Sequence, residues 1–198
     1  MTMFHDIPAS MQQTMHRLEQ LDAEERRQGV PTPQRLCAVP PESGQFLAIL
    51  AASAPTGSLL EIGTSGGYST MWLSRAARLR DQKIRSFELL ADKLTIARET
   101  FKVTGIEPLV EITEGDVREH LPQLTDVAFC FMDHDKSLYH ECYEMLVPNL
   151  VSGGILAADN ILSHEAALAP FVAHVLADSR VDAVVVPIGK GILLVRKN

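Results

Sequence analysis

Leu60-Glu61-Ile62-Gly63-Thr64-Ser65-Gly66-Gly67-Tyr68-Ser69 decides the fold. The apolar run 58–62 predicts a strand, and 69–79 predicts the helix that leaves the loop. In open α/β sheets, ligands bind beyond the carboxyl ends of the strands. Glycines placed there let backbone approach a ligand and permit positive φ. The N–H groups that open the next helix favour an anionic group, here a carboxylate. Ser69 adds a hydroxyl donor. A dinucleotide fingerprint needs G-x-G-x-x-G, and Ser65 breaks it. The spacing is instead acid-x-Gly-x-x-x-Gly, from Glu61 through Gly63 to Gly67.

Upstream, Met11, Met15, Leu18 and Leu21 recur at helical spacing, with Ser10 as the expected N-cap and Gly29-Val30-Pro31 as the stop. This amphipathic helix packs on its own domain or on a partner subunit. Pro31, Pro33, Pro40 and Pro41 mark a connector. Residues 42–54 read as a helix with Phe46, Leu47 and Leu50 on one side. The expected organisation is an N-terminal helical extension with its connector over 1–40, and one main domain over 41–198.

Downstream, strands are expected at 84–87, 109–112, 127–132 and 154–158, the last after a Gly153-Gly154 turn. Helices are expected at 91–103, 136–146 and 166–177. Such alternation implies a mostly parallel sheet with helices on both faces. The end differs. The strands at 181–186 and 192–195 are separated only by Pro187-Ile188-Gly189-Lys190-Gly191, too short for a helix, so they form an antiparallel hairpin.

With 198 residues the chain suits one domain, and 46% hydrophobic with 22% charged residues is ordinary for a globular protein. A formal net charge of −7 disfavours nucleic acid as a partner. Cys37, Cys130 and Cys142 form no CxxC pair, so neither a disulfide framework nor a zinc site is expected. Cys130, inside the apolar run 127–132, reads as a small core hydrophobe. The N-terminal residues lack the pattern of a signal peptide, and no apolar run is long enough to span a bilayer. The expectation is a cytoplasmic chain without a membrane partner.

Each strand end carries an acid. Glu61 can take the ammonium of a bound amino acid, directly or through water. Glu88 follows the second strand, where an acid accepts bonds from ribose hydroxyls. Asp116 follows the third and can face an adenine edge. Singly, Glu88 also reads as a solvated strand end, and Asp116 as an N-cap. Together they favour a ligand that is both nucleoside and amino acid. Gly63, Thr64, Ser65, Gly67 and Ser69 of the loop, Leu89 and Gly115 beside the acids, and Asp133 at the next strand end complete the expected lining.

Phe131-Met132-Asp133-His134-Asp135-Lys136 and Ala157-Ala158-Asp159-Asn160 end the fourth and fifth strands. Asp133, Asp159 and Asn160 offer three hard oxygen ligands, which suit Mg²⁺ or Ca²⁺. Such a cation lowers the pKa of a bound hydroxyl and orients it. Lys136 is the candidate general base beside it. Helix capping explains each acid separately, but not why both clusters end adjacent strands. His134 reads equally as a structural histidine or a ligand. Tyr139 and Tyr143, one turn apart, read as packing residues.

These motifs, with Pro41-Glu42-Ser43-Gly44-Gln45-Phe46-Leu47 before the first strand, resemble the cation-dependent O-methyltransferases. That family includes the catechol and caffeoyl-CoA enzymes and their bacterial relatives. The similarity runs from about Pro40 to the C-terminus. It implies a class I, Rossmann-like methyltransferase fold with a seven-stranded sheet, so that 41–198 is the methyltransferase domain. It implies S-adenosylmethionine at Glu61, Gly63, Ser69, Glu88 and Asp116, and a divalent cation, usually Mg²⁺, at Asp133, Asp159 and Asn160. Lys136 is then the base, and a homodimer the assembly. The implied acceptor is a small hydroxylated molecule, a catechol-like vicinal diol whose oxygens chelate the metal and whose oxyanion attacks the methyl group in line with the departing sulfur. Two departures lie near the expected acceptor site. Lys190 stands where many relatives have Asp, and Ile161-Leu162-Ser163-His164-Glu165 lacks the Trp common in that loop. Some bacterial relatives modify a hydroxylated uridine in tRNA, a substrate that the acidic balance argues against.

Three other classes compete. Gly63-Thr64-Ser65-Gly66-Gly67 fits the G-x-S-x-G elbow of a serine hydrolase, with Asp159 and His164 or His174 following in order. That reading leaves Glu61, Glu88 and Asp133 without a role. A nicotinamide-dependent reductase conflicts with Ser65 and the terminal hairpin. A catalytically silent cofactor-binding protein conflicts with the intact Asp133, Lys136, Asp159 and Asn160.

Overall fold

Seven strands pair into one sheet in a computed structural model that describes residues 2–198. They are β1 (Ser58–Ile62), β2 (Ile84–Glu88), β3 (Val110–Glu114), β4 (Val127–Met132), β5 (Leu150–Ala158), β6 (Val181–Val186) and β7 (Ile192–Lys197). The order is β3-β2-β1-β4-β5-β7-β6. β1 to β5 run parallel, whereas β7 is antiparallel to both β5 and β6. The terminal hairpin therefore forms as expected. The chain builds outward from β1 to β3, then returns to lay β4 on the other side of β1. That reversal is the switch point where open α/β sheets hold ligands.

Six helices cover the sheet: α1 (Ala9–Arg27), α2 (Pro41–Ser53), α3 (Tyr68–Leu79), α4 (Ala91–Thr104), α5 (Tyr139–Leu146) and α6 (Glu165–Ala177). Strand alternation sorts the core into two halves. Ala128, Phe129 and Phe131 of β4 face α2, α3 and α1, while Val127, Cys130 and Met132 face α5 and α6. β4 is buried along its whole length, as a central parallel strand requires.

Four expectations need correction. Helix α1 starts after Pro8, not Ser10; Pro8 has φ −59° and ψ 145°, and no side chain caps the helix. Gly153-Gly154 is no turn but lies inside β5, where the β4–β5 register shifts. A Cβ on Gly154 would come within 3.0 Å of the Val127 and Val151 carbonyl oxygens, so the bulge needs glycine for close backbone approach. Leu109 belongs to a short 3-10 turn before β3. Residues Lys136–Leu138 form another, tightened by Asp135, which accepts from Ser137 N–H, before α5 begins.

Helix α1 packs on its own chain. Met11, Met15 and Leu18 are buried in the core half that holds α2 and α3. Ahead of α1, the buried guanidinium of Arg75 on α3 donates to the carbonyls of Thr2, Met3 and Asp6. Among the described residues, no helix is long and apolar enough to cross a membrane.

Candidate active site

At the switch point the ends of β1 and β4 touch. Asp133 N–H donates to the Ile62 carbonyl at 2.9 Å. Gly63 sits at φ +99°, and a Cβ there would lie 2.0 Å from the Asp133 carbonyl oxygen. Only glycine lets the loop after β1 pass this close to the loop after β4. The two constellations seen in the sequence are thus one site.

The glycine loop is organised by a buried hydroxyl network. Glu61 is fully buried and accepts from Ser69 Oγ, Thr70 Oγ1 and Ser86 Oγ, each at 2.6 Å. Thr64 Oγ1 joins through Ser86 at 2.6 Å. Burial pushes the Glu61 carboxyl up to about 7, although the three hydroxyls pull the other way. The expectation that Glu61 takes a ligand ammonium directly does not hold, because the carboxylate faces inward. It ties β1, β2 and the start of α3 together instead. Ser69 likewise gives its hydroxyl proton to Glu61 rather than to a ligand. Helix α3 opens after Gly67, at φ +84°, with no side-chain cap. Its first-turn N–H groups remain the anion-favouring feature.

Glu88 clamps the same loop from β2. Its Oε2 accepts from Ser65 N–H at 2.8 Å and its Oε1 from Leu90 N–H at 2.9 Å. Each oxygen keeps a lone pair for a further donor. Leu89 beside it is 62% exposed, an apolar surface at the mouth of the site. Gly115 has φ +127°, and a Cβ there would meet only open space. Asp116 is an N-cap, as its structural alternative held: it accepts from Arg118 N–H and from the Arg118 guanidinium. Arg118 holds its carboxyl down to about 2. An adenine edge would have to compete with that arginine, so the direct role expected for Asp116 is not supported.

Ser65 is not a nucleophile. Its φ is +47°, as an elbow would require, but its hydroxyl donates to the Leu36 carbonyl at 2.6 Å. His164 instead contacts Ser163, and His174 contacts Glu144. The connector thereby lies on the glycine loop. Leu36 N–H is held by Glu25 of α1 at 2.8 Å, and a Cβ on Gly66 would come within 3.0 Å of the Leu36 side chain.

At the other end of the site, Asp159 is fully buried, and neither carboxylate oxygen has a hydrogen-bond partner. Burial, followed by the charge of Asp133, pushes its carboxyl well above the usual carboxylate range. An unpaired buried carboxylate is costly unless a proton or a cation neutralises it. Asn160, also buried, sits beside it at φ +67°. The residues thus fit a hard divalent cation held by Asp133, Asp159 and Asn160.

Lys136 Nζ donates to Asp133 Oδ1 at 2.6 Å, to the His134 carbonyl at 2.9 Å and to Tyr139 Oη at 3.0 Å. Tyr139 is fully buried, and its hydroxyl lies 3.1 Å from the Met132 carbonyl and 3.2 Å from that of Asp159. It packs as expected, but it also links Lys136 to both strand ends, which spacing alone did not reveal. His134 lies 2.9 Å from the Asp135 carbonyl through Nδ1, with its ring against Tyr139. Burial pushes its imidazole down to about 4, so it is neutral. The Asp159–Asn160 loop is laced to the terminal hairpin: Ile161 N–H donates to the Gly191 carbonyl, and Leu162 and Ser163 N–H to that of Lys190.

A family model described as O-methyltransferase matches residues 10–198. A catechol O-methyltransferase of Niastella koreensis is 29% identical over 130 residues, 63% of this chain and 58% of that protein. The chain thus spans less than two thirds of that relative's length. Caffeoyl-CoA O-methyltransferase 3 of Nicotiana tabacum is 27% identical over 191 residues, 83% of this chain and 78% of that one. Among solved structures, an O-methyltransferase from Bacillus cereus in complex with SAH superposes with a TM-score of 0.78 at 22% identity, covering 98% of this chain and 94% of that chain.

Proposed function

Because the chain belongs to the O-methyltransferase family, we propose that it moves a methyl group from S-adenosylmethionine to a hydroxyl of a small acceptor, assisted by a divalent cation. The observation that carries this reading is the buried, unpartnered carboxylate of Asp159, beside Asp133 and Lys136 and across from the glycine loop. Either a proton or a cation would neutralise such a carboxylate, and the oxygen ligands offered by Asp133 and Asn160 favour the cation.

S-Adenosylmethionine, when bound, supplies an electrophilic methyl carbon. The divalent cation, when bound, supplies a Lewis acid for the acceptor oxygen. The chain's own residues do the rest. The uncapped start of α3 favours the carboxylate of the methyl donor. Glu88 offers its free lone pairs to ribose hydroxyls, with Leu89 and Gly115 beside it. Lys136 uses all three donors of an ammonium group in its present bonds. It acts as a base only once it gives up one bond and its proton. The bond to Asp133 is the exchangeable one, since Asp133 is also a candidate cation ligand. Holding the two reactants in line is then the main contribution of the protein.

A catechol-like vicinal diol is the acceptor we favour, supported by the relatives named above and by three oxygen ligands that leave cation positions open for two acceptor oxygens. The net charge of −7 speaks against tRNA. We assign the chain to the cytoplasm, supported by three cysteines that are all free thiols. We also expect a homodimer, checked by light scattering of the purified protein.

The first test is a calorimetric titration with S-adenosylhomocysteine, followed by a diol screen with and without Mg²⁺. Saturable one-to-one binding and Mg²⁺-dependent methylation are expected. Folded, ligand-free protein that binds no S-adenosylhomocysteine in the presence of Mg²⁺ would overturn the reading.

A further inference from the structure

We propose that His140, Glu144 and His174 form a second metal site, for a transition-metal dication such as Zn²⁺, on the outer side of the molecule between α5 and α6. His140 and Glu144 lie four residues apart on α5 and so share one face of the helix. His174 arrives from α6. The three ligand atoms lie within 4.8 Å of one another. His174 Nε2 is 2.7 Å from Glu144 Oε1, and the two imidazole centroids are 4.3 Å apart.

The surroundings hold these groups in place. Tyr143 sets its ring edge-on to His174 at 5.9 Å, and Phe171 packs edge-on against Tyr143 at 5.8 Å. Arg180 Nη2 donates to both oxygens of Glu144 at 2.9 Å, which fixes the carboxylate; Oε2 keeps a further lone pair, while the metal would replace the contact between Oε1 and His174 Nε2. The arginine does not cancel the site's charge. Arg180 also binds Asp178 through Nε and Nη2, and Tyr143 Oη donates to Asp178. Two carboxylates thus face one guanidinium, with one negative charge left for a cation. Outer-shell bonds of this kind commonly orient metal ligands.

Two imidazoles and one carboxylate, with solvent in the fourth position, suit tetrahedral Zn²⁺. Imidazole nitrogen prefers Zn²⁺, Ni²⁺ or Cu²⁺ to Mg²⁺, so this site differs in preference from the oxygen set at Asp133, Asp159 and Asn160. Its position gives it a consequence. Helix α5 continues from the turn that carries Lys136, and α6 follows the Asp159–Asn160 loop. A metal here clasps the two helices that hang from the two strand ends of the active site.

The test titrates the full chain with Zn²⁺ by calorimetry, and with Co²⁺ by visible absorption, in saturating Mg²⁺ so that the oxygen site is filled. Wild type is expected to take up one Zn²⁺ per chain, to gain thermal stability from it, and to show ligand-field bands with Co²⁺. His174→Ala should lose the Zn²⁺ uptake, the stability gain and the bands, and so should His140→Ala, whose exposed position spares the fold. Asp159→Ala should keep all three. Unchanged Zn²⁺ affinity in both histidine variants would overturn the proposal by placing the metal elsewhere. Absence of Zn²⁺ uptake by wild type would overturn it too, leaving only a histidine–glutamate contact.

Discussion

Glu61 and Asp159 are both buried carboxylates, yet their neighbours differ and so do their tasks. Glu61 has three hydroxyl donors and no open face, so it organises the loop. Because burial raises its carboxyl to about 7, its neutral form stabilises the fold relative to the unfolded chain. That contribution is complete below the unfolded value near 4.5 and is lost as pH rises through about 7. Wild type should therefore lose stability relative to Glu61→Gln between pH 5 and pH 8, by about 1.4 kcal/mol per pH unit up to its own titration. Paired urea melts at the two pH values measure this. A constant gap would mean that the carboxylate is already ionised at the acid end. Asp159 has no well-formed donor, only the backbone N–H of Asn160 nearby. Asp159→Ala should abolish cation-dependent turnover, leave S-adenosylhomocysteine affinity within a few-fold, and raise stability in EDTA by about 1–3 kcal/mol. Thermal melts with and without Mg²⁺ check it, and an unchanged Mg²⁺ response would remove Asp159 from the ligand set. Asp133, Asp159 and Asn160 were legible because acids that end apolar strands stand out along the chain. Thr70 and Ser86 were not, because each gains its role from Glu61 on another element, and Arg118 was not, because nothing in its spacing shows that its guanidinium turns back onto Asp116.

Elements were legible where apolar patterning alone decides them. β1, β4 and β6 have the expected bounds, since a short apolar run between turn signals has few alternatives. Gly153-Gly154 misled because glycine marks a turn in most contexts, whereas here it permits a bulge against β4. The segment ahead of α1 carried no signal at all. It is fixed by one buried arginine, Arg75 of α3, whose guanidinium holds the carbonyls of residues 2, 3 and 6. Hydrogen bonds to a charged group contribute about 1.5–3 kcal/mol each, less where water can replace a partner. Arg75→Leu should therefore cost about 2–4 kcal/mol. It should also expose residues 2–7 to proteolysis while α3 stays helical. Resistance to protease equal to wild type would show that Phe4, packed edge-on against Trp72, suffices to hold the segment.

The whole molecule does not divide where composition changes. Residues 1–40 read as an extension to a domain over 41–198, because the prolines of the connector look like a linker. In the folded chain the connector is a structural part of the glycine loop, through Ser65 to Leu36 and Leu36 to Glu25. Met11, Met15, Leu18, Leu36 and Val39 belong to the same core half as α2 and α3. Burying a side chain of this size contributes about 1.5–3 kcal/mol, so the five together match the about 5–15 kcal/mol by which domains exceed their unfolded state. A chain lacking residues 2–40 should therefore fail to give a cooperative melt, whatever remains of its strands and helices. Leu36→Ala in the full chain separates folding from binding. It should lower stability by about 2–3 kcal/mol and weaken S-adenosylhomocysteine binding several-fold, because Leu36 rests on the loop at Gly66. If the shortened chain melted cooperatively and bound S-adenosylhomocysteine as the full chain does, the first forty residues would be an appendage. The loop's geometry would then be set by Glu61, Glu88 and the touching ends of β1 and β4 alone.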